Sequence, residues 1–106
     1  MSCPTHPPIT LKLKQDTVHE SALSDGTTNF TGWTVTAKGR NANSDAELFT
    51  CPVIEKENII GSFKHSIEIS KENTEIAQGK TCILEIIYKD TNGKQTVGRF
   101  SLPVCH

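Results

Sequence analysis

The chain has 106 residues, 35% of them apolar, and its 11 basic and 12 acidic side chains leave a net charge of -1. That length makes one domain with one modest core. The charges are mixed along the chain, with no basic stripe for nucleic acid or an anionic membrane, and no apolar run approaches the roughly 18–20 residues of a membrane span.

Pro7 and Pro8 keep the N-terminal arm extended. Ile9, Leu11 and Leu13 alternate with Thr10, Lys12 and Lys14, which predicts a half-buried strand with a lysine-bearing outer face. Val18 lies on a weaker strand, followed by loop or turn over residues 21–32. Trp33, Val35 and Ala37 alternate with Thr34, Thr36 and Lys38 in the best strand of the first half, which Gly39 ends before a polar loop over residues 39–45. Residues 48–54 are β-prone but interrupted by Pro52, which only an edge strand or a bulge tolerates. Phe63, His65, Ile67 and Ile69 define a second clear strand, and residues 72–77 carry a helical turn ended by Gly79. Residues 81–89 form the strongest strand. Asn92-Gly93 then signals a hairpin with a type I′ turn, in which both central residues take positive φ. Thr96, Phe100, Leu102 and Val104 share the return strand.

About seven short strands, with no long helical period and no repeat, point to an all-β fold. The expected form is a small immunoglobulin-like β-sandwich of antiparallel strands in a single domain, residues 1–106, with a small barrel as the rival. No cysteine shortly precedes Trp33, so the antibody Cys…Trp…Cys spacing is absent and only the general architecture follows.

The cysteines are Cys3, Cys51, Cys82 and Cys105. Four cysteines allow three pairings. Their layout favours two disulfides, a tie from Cys3 to Cys105 across the chain ends and a staple from Cys51 to Cys82. The first tie is natural if residues 9–13 and 98–104 are adjacent strands. Disulfides imply a secreted, extracellular protein. The alternative is four reduced, buried thiols in a cytosolic protein. Cys82 suits that reading, whereas Cys3 and Cys105 lie in polar, proline-bearing ends where unpaired thiols would be exposed. No signal peptide is present, so a secreted protein would be the mature form, with Met1 a remnant of expression. Asn29-Phe30-Thr31 matches the N-glycosylation acceptor pattern beside turn-like residues 25–28.

Catalytic and metal motifs are not evident. His6, His19, His65 and His106 form no short-spaced pair, and there is no Cys-x-x-Cys for zinc. If the ends are tied, His6 and His106 approach one another as a surface metal pair, although two solvated terminal histidines is the plainer reading. His65 alternates onto the face of Phe63 and Ile67. An inward imidazole there needs a partner or titrates low, and would line a ligand cavity; more commonly such a residue sits at a sheet margin with its polar end outward. No Gly-x-Ser-x-Gly elbow or phosphate loop occurs. Asp16, Glu20, Asp25, Glu55, Glu57 and Glu85 are dispersed, where a glycosidase needs two carboxylates across a cleft. No enzyme activity and no cofactor are expected. Trp33 is either core or an exposed anchor, and alternation favours core. Tyr88 shares a face with Leu84 and Ile86 as a core-edge residue whose hydroxyl reaches water.

Cys51-Pro52-Val53, Ile67-Glu68-Ile69-Ser70-Lys71, Gly79-Lys80 and residues 83–94 together resemble the C-terminal half of ML-type lipid-recognition domains, over residues 51–100. Fewer residues precede Cys51 than in that family, and its short-loop cysteine pairs are missing. The resemblance implies a secreted, disulfide-bonded sandwich with a cysteine near the start tied to one near the end. It also implies lipid held between the sheets against Phe63, Ile67, Ile69, Leu84 and Ile86.

These readings converge on a secreted, non-catalytic binding module, either an extracellular recognition domain or an effector acting on a host protein. Contact would run through a sheet edge or through residues 24–32, 40–45 and 90–94. Two rivals differ in class. One is a carrier of lipid or a small apolar ligand facing Phe63, His65, Ile67, Ile69, Leu84 and Ile86. The other is a protease inhibitor presenting an exposed loop.

Overall fold

A computed structural model describes residues 11–105, with Lys12 and Cys105 given by backbone alone. Among them are nine strands and one helix: β1 (Leu11–Lys12), β2 (Thr17–Ser24), β3 (Thr34–Asn41), β4 (Glu47–Cys51), β5 (Val53–Ile59), β6 (Ser62–Ile69), α1 (Lys71–Ala77), β7 (Cys82–Lys89), β8 (Gln95–Ser101) and β9 (Val104–Cys105). Seven of the strands form two antiparallel sheets, ordered β2-β6-β5 and β4-β3-β7-β8, while β1 and β9 pair in parallel.

Alternation explains the two central strands. In β6 the inward residues Phe63, His65, Ile67 and Ile69 are buried, as are Cys82, Leu84, Ile86 and Tyr88 in β7. The two faces meet: Phe63 lies 6.2 Å from Tyr88, centroid to centroid, and the Tyr88 hydroxyl bonds Ser21 Oγ on β2. The sheets therefore stack as a sandwich over one core. Pro52 sits between β4 and β5, which are edge strands of different sheets, so the missing N–H falls where the chain changes layers. α1 is capped by Ser70, whose side chain accepts from the Asn73 amide, and Asp16 accepts from the Lys71 amide at 2.7 Å.

Several expectations need correction. The strand over residues 9–13 is only Leu11–Lys12; a turn follows, with Lys14 at φ 62, its amide held by Thr74 Oγ1 at 2.8 Å. Ile9 lies outside the described residues. Residues 21–24 are strand: β2 pairs with β6 over eight rungs, and its inward positions are His19, Ser21 and Leu23, while Val18 faces solvent. Gly39 does not end β3. Phe49 of β4 lies opposite it, and a Cβ on Gly39 would stand 2.2 Å from that ring, so the bare backbone is the seat of the aromatic side chain. In the β7–β8 hairpin only Gly93 has positive φ, so the turn is not type I′. Asp90 instead organises it, accepting from the amides of Asn92 and Lys94. β8 stops at Ser101, and Val104 belongs to the separate ribbon with β1.

The internal staple is also absent: Cys51 and Cys82 are free, buried thiols. Register gives the reason. Cys51 pairs with Ala37 and Cys82 with Asn41, four residues apart on β3 and on opposite sides of it. That is roughly 13 Å along the strand and two strand spacings across it, well beyond the ~7 Å that a disulfide spans between Cα atoms. The tie from Cys3 to Cys105 and the pair His6 and His106 lie outside the described residues and side chains.

Candidate functional site

Three loops meet at one end of the sandwich: residues 25–33 after β2, the Ile60-Gly61 turn between β5 and β6, and residues 90–94 between β7 and β8. The first is a chain of local turns. Asp25 accepts from the amides of Thr27 and Thr28, both at 2.9 Å, and from the Thr28 hydroxyl. The Thr28 hydroxyl and then these amides hold the Asp25 carboxyl down at about 2, so it is ionised at any physiological pH. Asn29 Oδ1 accepts from the Thr31 amide at 3.1 Å and the Thr31 hydroxyl at 2.7 Å. The Trp33 amide then closes on the Phe30 carbonyl at 3.1 Å, with Gly32 at φ 84 in the turn.

Phe30 anchors this loop. It is 2% exposed and stacks on Phe63 with centroids 5.1 Å apart. Trp33 meets Phe30 edge-on at 4.9 Å but is only half-buried, so the expected core position is a rim position. A shallow cavity of about 250 Å³ opens here between Leu23, Thr28, Phe30, Trp33 and Thr96.

The second loop is locked to the first. The Gly61 amide donates to the Thr28 carbonyl at 2.8 Å, and its carbonyl accepts from the amides of Asp25 and Gly26. Gly61 has φ 85, and a Cβ there would stand 2.5 Å from the Cα of Gly26. The turn so fixed carries Ile59 and Ile60 at 57% and 69% exposure. Thr91 of the third loop closes the cluster, since a Cβ on Gly32 would stand 2.8 Å from its methyl group.

Of the contact segments read from sequence, residues 24–32 and 90–94 come together here. Residues 40–45 do not: they lie at the opposite end, where the Ala42 amide donates to the Thr81 carbonyl. The Ile60-Gly61 turn was missed. Its signal is local: two consecutive isoleucines cannot both point inward from a strand, and a glycine follows them.

The proposed ligand-facing set is in the sandwich core. Phe63, Ile67, Ile69, Leu84 and Ile86 are essentially unexposed and belong to one packed cluster. His65 is not at a margin. It is 4% exposed, edge-on to Phe63 at 4.2 Å, and its Nδ1 has no hydrogen-bond partner among the described residues. Burial pushes the His65 pKa below the ordinary value, against a smaller upward pull from Glu55. Tyr88 is buried, not at the core edge, and its hydroxyl bonds Ser21 Oγ. On the opposite face of the four-stranded sheet, Glu85 is clamped by Arg40 Nε at 3.0 Å and Arg99 Nη2 at 2.7 Å.

No helix among the described residues is long and apolar enough to cross a membrane. Compared with known proteins, the chain matches no family model and no curated protein.

Proposed function

We propose that this chain is a secreted, non-catalytic binding module of the immunoglobulin-like sandwich class that meets a protein partner through its three-loop end. One observation carries the reading: a hairpin turn tied down by three backbone hydrogen bonds holds two adjacent isoleucines in solvent. A locked turn loses little conformational entropy when it is captured. Burying each isoleucine against a partner contributes up to about 2 kcal/mol. Isolated exposed apolar residues are ordinary, but a pair on a fixed projection is what an interface uses.

The class rests on strand order. β2-β6-β5 faces β4-β3-β7-β8, a helix joins β6 to β7, and loops gather at both ends. The absence of catalysis is supported by where the polar side chains sit: Ser21, His65 and Tyr88 meet between the sheets and not in a cleft. Secretion is supported by Cys3 and Cys105 in polar chain ends, and we propose that these two form a disulfide. The free pair is compatible with an oxidising compartment. Burial pushes the Cys51 thiol up to about 12 and raises Cys82, leaving almost no thiolate to react.

The test is affinity capture from extracellular material with the native chain and with an Ile59→Asp/Ile60→Asp variant, followed by direct binding to each protein that differs. A protein bound by the native chain and lost in the variant supports the reading; identical captures overturn it. A captured protease, inhibited by the native chain, would make the same rigid turn an inhibitory loop. The ML-type resemblance places a lipid among side chains that are packed on one another here. Solvent extraction of the purified protein, with lipid found at one per chain, would favour carriage instead.

A further inference from the structure

We infer that Asn29 carries an N-linked glycan, a modification that rests on the secreted reading above and marks one flank of the contact surface. The sequence alone offers only the tripeptide Asn29-Phe30-Thr31. Folding sorts its residues in the way attachment requires. Asn29 and Thr31 are exposed, while Phe30 between them is turned into the core against Phe63 and Trp33. A sugar on Asn29 thus projects into solvent without displacing the anchor that holds the loop.

Among the described residues, the hydrogen bonds of the loop leave the acceptor nitrogen unused. Both bonds to the Asn29 carboxamide, from the Thr31 amide and hydroxyl, end on Oδ1, and neither uses Nδ2. Thr31 supplies the hydroxyl that the acceptor pattern demands. In the transfer, the Nδ2–C1 bond to the first sugar forms as the C1–O bond to a lipid pyrophosphate donor breaks. The pyrophosphate leaves with the bonding electrons, and one amide proton passes to the transferase's base. No oxidation occurs.

Asn29 follows Thr28, whose carbonyl receives the Gly61 amide, so the sugar stands beside the turn bearing Ile59 and Ile60. A partner would approach the isoleucines from the side away from residue 29.

The experiment expresses the full chain behind a cleavable leader in a eukaryotic secretion host. A second acceptor tripeptide appended after His106 reports entry into the lumen. The expected result is two glycosidase-sensitive mobility steps, one of which disappears in both Asn29→Gln and Thr31→Ala. Thr31→Ser should keep it at reduced occupancy. Amidase release in heavy-oxygen water should label the peptide containing residue 29. If the appended site is modified while position 29 is not, the inference is overturned. Secretion itself is read separately, by locating the untagged protein in its own source, so the two readings fail independently.

Discussion

Thr28 and Gly61 are joined by a 2.8 Å backbone hydrogen bond that ties the loop after β2 to the turn between β5 and β6. Gly61 also has φ 85 and lies against the backbone of Gly26, which leaves no room for a side chain. Gly61→Ala should therefore destabilise the fold by at least about 1–2 kcal/mol from the left-handed conformation alone, with the clash added. Denaturant titration would measure this. An unchanged midpoint would mean that the two loops are not held together in solution.

Ile59 and Ile60 project from that turn into solvent, so their contribution to folding is small. The Ile59→Asp/Ile60→Asp variant should match the native chain in stability to within about 0.5 kcal/mol per site, because exposed substitutions rarely cost more. Loss of more than about 2 kcal/mol would show that the pair is structural. The comparison uses thermal or chemical unfolding beside the capture experiment.

Glu85 is 5% exposed although it lies on the solvent face of β7, covered by Arg40 and Arg99. Removing its charge leaves two guanidinium groups facing one another, but both arginines retain access to water and can turn outward. Glu85→Gln should cost about 1–3 kcal/mol, between the surface and fully buried limits for ion pairs. The loss should shrink as salt is raised, and unfolding in low and high salt would check it.

Much of the fold was legible wherever inward positions are apolar. Phe63, Ile67 and Ile69, and then Leu84, Ile86 and Tyr88, reveal β6 and β7 by alternation alone. β2 was half hidden because its inward residues include His19 and Ser21, so pairing with β6, not pattern, defines it. Gly39 read as a stop because the ring of Phe49 that covers it comes from another strand. The same limit applies to the loop end. Residues 24–32 and 90–94 were recognisable as loops, but their meeting with Gly61 depends on contacts between distant parts of the chain. The wrong cysteine pairing has this origin too, since only the register of β3 shows how far apart Cys51 and Cys82 are.

His65 and His19 both have pKa values lowered chiefly by burial, with smaller upward pulls from Glu55 and Glu20 respectively. The unfolded chain protonates histidine near pH ~6.5, while the folded chain resists until lower pH. Unfolded protein therefore binds more protons in that window, and stability should fall as pH drops below ~6.5 and through the lowered folded values. Above ~6.5 these two residues should contribute no slope. His65→Leu should flatten the acid limb in urea titrations across pH; an unaltered limb would show that His65 does not titrate with unfolding.

The four cysteines should behave as two classes. Cys51 and Cys82 are buried free thiols, one pushed up to about 12, so alkylating reagent should reach them only when the chain unfolds. Cys105 lies opposite Lys12 in the parallel β1–β9 ribbon. The proposed bond from Cys3 to Cys105 would close nearly the whole chain into a ring, worth about 4–5 kcal/mol in the loop-entropy account. Denatured protein should yield two titratable thiols before reduction and four after, and reduction should lower the thermal midpoint. Peptide mapping would assign the bond. Four thiols reactive without reductant would remove both the disulfide and the main support for secretion, and a bond found between Cys51 and Cys82 would contradict the register of the four-stranded sheet.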